Sequence, residues 1–228
     1  MTEQRIHILP RDEGQAASRE MVRRYEALMA ARASPLDVQQ AEELRRNLAM
    51  LEGLDHQYGG SAPIELEGTE ALVASILVPL ARLGDADLVI AAALWALRHR
   101  VEITTVEPVA NALAERSNRA KDRHELGAVF SLMQGVIDNV RDRLGADLER
   151  SNPERPWRIL HANLAITAIR SEDPALLDAA FDALDAALPD ERAAFYSEAL
   201  ALALAPGIAA VVRERIEERH RRWTARPA

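Results

Sequence analysis

Apolar residues along this chain recur at helical spacing and hardly anywhere at the spacing of strands. The clearest stretch is Thr69–Arg100, TEALVASILVPLARLGDADLVIAAALWALRHR. It reads as two apolar helices joined at Leu83-Gly84-Asp85, a hairpin with a minimal turn. Gly84 supplies the left-handed position that ends the first helix, and Asp85 caps the second. On either side the same three-and-four spacing continues. Met21, Val22, Tyr25, Leu28 and Met29 form one stripe, on a helix capped by Asp12 and running to Arg32. Ser34-Pro35 reads as a cap followed by proline in the first turn, opening a helix to His56 with Ala41, Leu44, Leu48 and Leu51 as its seam. That seam suits either docking on a neighbouring helix or self-association.

Tyr58–Gly68, with three Gly and one Pro in eleven residues, is the clearest linker. Beyond the hairpin, VEITT is too short to argue a sheet, and Thr105 is a candidate cap for a helix through Pro108 to Ser117. A helix from Asp122 to Leu144 carries Leu126, Val129, Phe130, Met133, Val136, Ile137, Val140 and Leu144 on one side; its Gly127 and Gly135 mark close helix contacts. Trp157–Arg170 is the next helix. Asp173-Pro174, Pro189-Asp190 and Pro206-Gly207 open three more, the last ending near Trp223.

These patterns predict an all-α chain of about ten helices in antiparallel hairpins, a short α-solenoid or irregular helical bundle with tetratricopeptide-like geometry. Pro156 and Asp190 are 34 residues apart, the period of that repeat, although its consensus glycine is replaced by His161. The expected organisation is a helical pair over 1–57, a linker over 58–68 and a hairpin array over 69–228 ending in a basic helix.

Composition narrows the picture. There are no cysteines among the 228 residues, which excludes disulfides and thiolate chemistry and points to the cytoplasm. The N-terminal MTEQRIHILPRDEGQ lacks the apolar stretch of a secretory signal, and no apolar run is long enough to span a bilayer. Net charge is −8, against non-specific attraction to nucleic acid or anionic membrane over the whole surface.

Candidate chemistry is sparse. Asp178, Asp182 and Asp185 share one helical face, which suits a solvated surface, a docking face for a basic partner, or oxygen ligation of a hard cation. The six histidines have no metal-ligand spacing; His161, near Trp157 on an apolar helix, reads as packed and hydrogen-bonded. There is no phosphate-binding loop and no nucleophile elbow, so neither a cofactor nor a catalytic residue is assigned.

Basic residues cluster at Arg19, Arg23 and Arg24, around Arg98-His99-Arg100 with Arg116, Arg119, Lys121 and Arg123, and in the tail. The tail from Arg213 to Arg226 holds six Arg and His220 against three acids, with Arg213, Arg215, Arg219, Arg221 and Arg222 as candidate phosphate contacts beside Arg116, Arg119, Lys121 and Arg123. The competing reading is that these cations offset helix dipoles or pair with Glu214, Glu217 and Glu218.

The text VASILVPLARLGD followed by IAAALWALRHR resembles the middle of the small, so-called endonuclease, subunits of phage terminases from temperate myophages. VEPVANALAE, PERPWRILHANLAITAI and the N-terminal RYEALMA are similar to further segments of that family, in the same order, and together cover about two-thirds of the chain. The family's Trp-Val-x-Gly-Val-Leu segment and long basic tail are absent, and no catalytic residue is matched. The resemblance implies a DNA-packaging role: binding duplex DNA, joining a large ATPase subunit and supporting cleavage at the packaging site, with self-association expected. The rival is a helical-repeat interaction scaffold that never touches DNA, whose sign would be a concave face of one charge with the tail arginines paired internally.

Overall fold

The computed structural model describes residues 16–31, 35–60, 62–204 and 207–224, and in them the chain is all helical. The ten helices are α1 (Ala16–Ala31), α2 (Val38–Tyr58), α3 (Thr69–Arg82), α4 (Ala86–Arg98), α5 (Glu107–Arg119), α6 (Arg123–Leu144), α7 (Pro156–Ser171), α8 (Pro174–Ala187), α9 (Arg192–Ala203) and α10 (Ala210–Thr224). Among the described residues there is no strand. No described helix is long and apolar enough to cross a membrane. The expected caps at Asp12 and Ser34, Pro206, and Arg226 in the tail lie outside the described residues.

The α3–α4 hairpin forms as its turn residues dictate. Gly84 takes φ +66°, and the Asp85 carboxylate accepts the Leu88 N–H at 3.2 Å. Both helices are lined by residues fully out of water, among them Ile76, Leu77, Leu80, Leu88, Ile90, Ala93 and Trp95. Short Ala side chains along α4 let neighbours approach from several sides, and α1, α3, α5 and α6 all pack on it. At Gly135 in α6 a Cβ would meet Leu97 Cδ1 at 3.3 Å, so α4 and α6 approach closely there and a side chain would press on Leu97.

The stacking then continues along the chain: α5 against α6 and α7, α6 against α7, α7 against α8, and α8 and α9 against α10. One apolar core runs from Met21 in α1 to Ile216 in α10. The α2 seam residues Leu44, Leu48 and Leu51 are buried, and α2 packs on α1 and α3. The linker segment is irregular but anchored: Ile64 is buried, and its N–H donates to the His99 carbonyl at 3.0 Å.

Four helix starts differ from expectation: α9 begins at Arg192 rather than Pro189-Asp190, α10 begins at Ala210, beyond Gly207, and α2 and α5 also start late. Helix α2 begins beyond Ser34-Pro35 because Asp37 and Gln40 form a reciprocal capping box, with Gln40 N–H on the Asp37 carboxylate at 2.8 Å. Helix α5 is capped at Val106 rather than Thr105, without a side-chain bond. The preceding VEITT segment is held instead by Asn139 of α6. Its amide oxygen accepts the Ile103 N–H at 2.8 Å and its NH2 donates to the Val101 carbonyl at 3.0 Å, standing in for a neighbouring strand.

Candidate functional site

The face shared by Asp178, Asp182 and Asp185 on α8 is a docking surface for a basic partner, and the partner is the chain's own α10. The return of the chain through α9 brings α10 parallel to α8 and in contact with it, with Val212 and Ile216 buried. Arg215 then lies 3.0 Å from Asp178, and Arg219 reaches both Asp182 and Asp185 at 2.6 Å. Arg219 is only 8% exposed, and its guanidinium also lies 6.0 Å from the centre of the Phe181 ring. Burial works against its charge, but the two carboxylates outweigh that and raise its proton affinity. Tyr196 stands beside this pair, its hydroxyl resisting ionisation because it is buried and next to Asp185. Farther along α10, Trp223 receives the Arg192 guanidinium at 3.5 Å from its ring centre. Among the described residues no three His, Asp or Glu side chains are grouped as a metal-holding set.

The other candidate cations divide by burial. Arg116 lies 3.3 Å from Glu125 and 4.0 Å from Asp87, and Arg119 lies 3.5 Å from Asp87. Arg24 from α1 reaches Asp85 at 3.0 Å and Asp87 at 3.2 Å, so three arginines converge at the start of α4. Arg213 donates to the Ala203 carbonyl at 3.3 Å. Arg123 pairs with Glu172, and Arg222 with Glu218 at 3.4 Å, both at the surface. Lys121 and Arg221 are exposed; the Arg221 guanidinium donates to the Glu217 carbonyl.

His99 does not belong to a basic patch at all. It is fully buried, with Nε2 at 2.7 Å from Asp55 Oδ1 and Nδ1 at 2.6 Å from the Ala62 carbonyl oxygen. Trp95 Nε1–H donates to the same Asp55 oxygen at 2.7 Å. Burial opposes ionisation of Asp55, yet His99, Ser18 and Trp95 together outweigh it and hold the carboxyl below its usual range. This buried cluster ties α1, α2, the backbone at Ala62 and α4 together. Sequence reasoning passed over Asp55, although it continues the three-and-four spacing of Leu44, Leu48 and Leu51. A carboxylate on an apolar stripe is the available signal.

A second unforeseen network surrounds Arg155, which is 4% exposed. It donates to Asp147 at 2.6 Å and to Glu191, and Arg158 also reaches Glu191. Asp147 raises the proton affinity of Arg155, and Glu191 is held below the usual carboxylate range by its two arginines despite burial. Three arginines and three carboxylates line the 340 Å³ hollow here, so it carries no net charge.

His161 is packed on α7 against Trp157, ring centres 4.4 Å apart, as expected. It is not hydrogen-bonded: neither ring nitrogen, nor the Trp157 indole N–H, finds a partner among the described residues. Burial, assisted by the charge of Arg141, pushes its pKa down to about 4. Both rings line a groove of 260 Å³ between α6, α7 and α8.

No protein-family model matches this chain, and no curated protein or solved structure matches it.

Proposed function

We propose that the chain is the small subunit of a phage DNA-packaging terminase, a helical subunit that binds duplex DNA and recruits the large ATPase subunit. The observation that carries the reading is the order and packing of the segments that resemble that family. VASILVPLARLGD and IAAALWALRHR are the two arms of the α3–α4 hairpin, VEPVANALAE opens α5 against that hairpin, and PERPWRILHANLAITAI is α7, packed on α5. These pieces therefore form one continuous stack.

The ion pairs sort the candidate contacts. Arg219, Arg215 and Arg116 hold helices together and are poor choices for phosphates. Lys121, Arg123, Arg221 and Arg222 are exposed, and the two surface pairs among them contribute little to stability, so phosphates can displace their carboxylates. Fluorescence anisotropy against duplex DNA at low and high salt tests this. Binding should weaken steeply with salt. Lys121→Ala, Arg123→Ala, Arg221→Ala and Arg222→Ala each remove one cation from the phosphate backbone and should each flatten the logarithmic salt slope by about 1. Binding insensitive to salt would count against the assignment.

A second reading is favoured by the inward pairing of Arg215 and Arg219 on the acidic face of α8: a helical interaction scaffold without DNA binding. Absence of binding to any duplex at low salt would select it.

A further inference from the structure

We propose that the buried Asp55–His99 pair is a proton-dependent clasp: His99 carries a hydrogen on both ring nitrogens, and giving up one of them unfastens α2 from α4.

The proton count follows from the acceptors. The Ala62 carbonyl oxygen, 2.6 Å from Nδ1, can only accept, so Nδ1 carries a hydrogen. Nε2 lies 2.7 Å from Asp55 Oδ1, an oxygen that already accepts the Trp95 indole N–H at 2.7 Å. Two lone pairs do not face each other at that distance, so a second hydrogen lies between Nε2 and Oδ1. The Asp55 carboxyl is held below its usual range, which leaves this hydrogen on the imidazole. His99 is then an imidazolium with both donors used, and Asp55 is its counter-ion. Both side chains are 0% exposed, and ions so buried are kept only with the opposite charge in contact.

The bonds that meet at His99 are not equivalent. Its Nδ1–H on the Ala62 carbonyl and its own carbonyl on the Ile64 N–H hold the linker, and neither needs a charge. The bond to Asp55 alone needs the second ring hydrogen, and it is the one that joins α2 to α4. Losing that hydrogen aims a lone pair at a carboxylate. The fastening is therefore present at low pH and lost as pH rises, while the linker stays on α4.

The ionisable groups of the surrounding elements are turned elsewhere. Arg24 of α1 and Arg116 of α5 reach Asp87 at the far end of α4, Arg19 pairs with Glu52, and Glu70 of α3 and Asp138 of α6 are exposed. Beside the pair in sequence, His56 and Arg100 are exposed and Arg98 is half-buried. The charge that acts on Asp55 is that of His99.

The test needs neither DNA nor an ATPase subunit. Long-range proton–nitrogen NMR spectra of the histidine rings are recorded on the full chain from pH 6 to pH 10, with the Trp95 ring, 4.5 Å away, identifying His99. At pH 8, where a histidine in water is neutral, both His99 nitrogens should carry hydrogens. Amide exchange is followed over the same range, with Leu177 and Leu184 of α8 as the reference for the general rise in rate with pH. As His99 becomes neutral, the buried Leu48 and Leu51 amides of α2 should lose about tenfold more protection than the reference, the value of one hydrogen bond. Asp55→Asn, whose NH2 can donate to Nε2, should give a neutral His99 at pH 7 and remove the alkaline step. A single protonated nitrogen on wild-type His99 at pH 7, or α2 protection that tracks α8 up to pH 10, would overturn the proposal.

Discussion

Replacing His161 by Phe should make the protein less sensitive to mild acid, and the structure fixes the size of the effect. The ring is 3% exposed, its pKa is about 4 in the folded chain, and 6.5 is the value expected once it is in water. Between those values the unfolded chain binds more protons at this site than the folded chain does. Stability therefore rises with pH across that window and falls as the pH drops through it. Taken between pH 7 and pH 5, the linkage amounts to about 2 kcal/mol, approaching about 3 kcal/mol once both states are protonated. The depressed carboxyls at Asp55 and Glu191 act lower, because carboxyls in the unfolded chain titrate near 4. Urea unfolding of the wild-type protein and of His161→Phe at pH 7, 6 and 5 isolates the term. The wild type should lose about 2 kcal/mol more than the variant over that range. At pH 7 Phe should cost little, since it fills the same space and removes unmet polar atoms. Parallel curves for the two proteins would refute the assignment of a buried, unpartnered imidazole.

Two other substitutions probe the architecture. Arg219→Ala strands Asp185 in the interior and should cost about 3–5 kcal/mol in chemical unfolding, whereas the double change Arg219→Met/Asp185→Leu should recover most of it; equal losses would show that packing rather than charge holds α10 to α8. Gly84→Ala forces a Cβ into the left-handed region at φ +66° with nothing within 4 Å to clash, so it should cost about 1–2 kcal/mol from backbone strain alone, read as a lower Tm.

The fold was legible because most of its instructions are local. Gly84 and Asp85 lie within the turn they make, Asp122 and Asp173 cap the helices they precede, and the α6 stripe is buried along its length. Local signals also compete, and the winner is decided by geometry. Ser34-Pro35 and the Asp37/Gln40 box are both plausible starts for α2; the box prevails at Val38, where two reciprocal bonds satisfy donors at once. Partners distant in sequence are harder to read. The α8 carboxylates were visible as a row, but their guanidiniums lie 34 and 37 residues away from Asp185 and Asp182, and only the return of the chain through α9 brings them together. The same holds for Asn139 with VEITT and for Asp55 with His99.

Periodicity carries more information about charges than charge density does. On α10, Val212, Ile216, Arg219 and Trp223 recur at intervals of four, three and four, so Arg219 occupies a position of the apolar stripe and is buried with it. Arg221 and Arg222 lie off that stripe and are exposed. On α5, Arg116 sits next to the stripe of Val109, Ala112 and Leu113 and is half-buried, while Lys121 and Arg123 lie beyond the helix end and are exposed. Asp55 on α2 and Asp185 on α8 obey the same rule from the acidic side, each adjoining an apolar seam and each buried against a cationic or hydrogen-bonding partner. A charged residue in phase with an apolar stripe is thus committed to the interior and must find its counter-charge there, because an unpaired buried ion is too costly to keep. Only those out of phase are left to meet another molecule. Among the candidate phosphate contacts of this chain, Lys121, Arg123, Arg221 and Arg222 are of that kind.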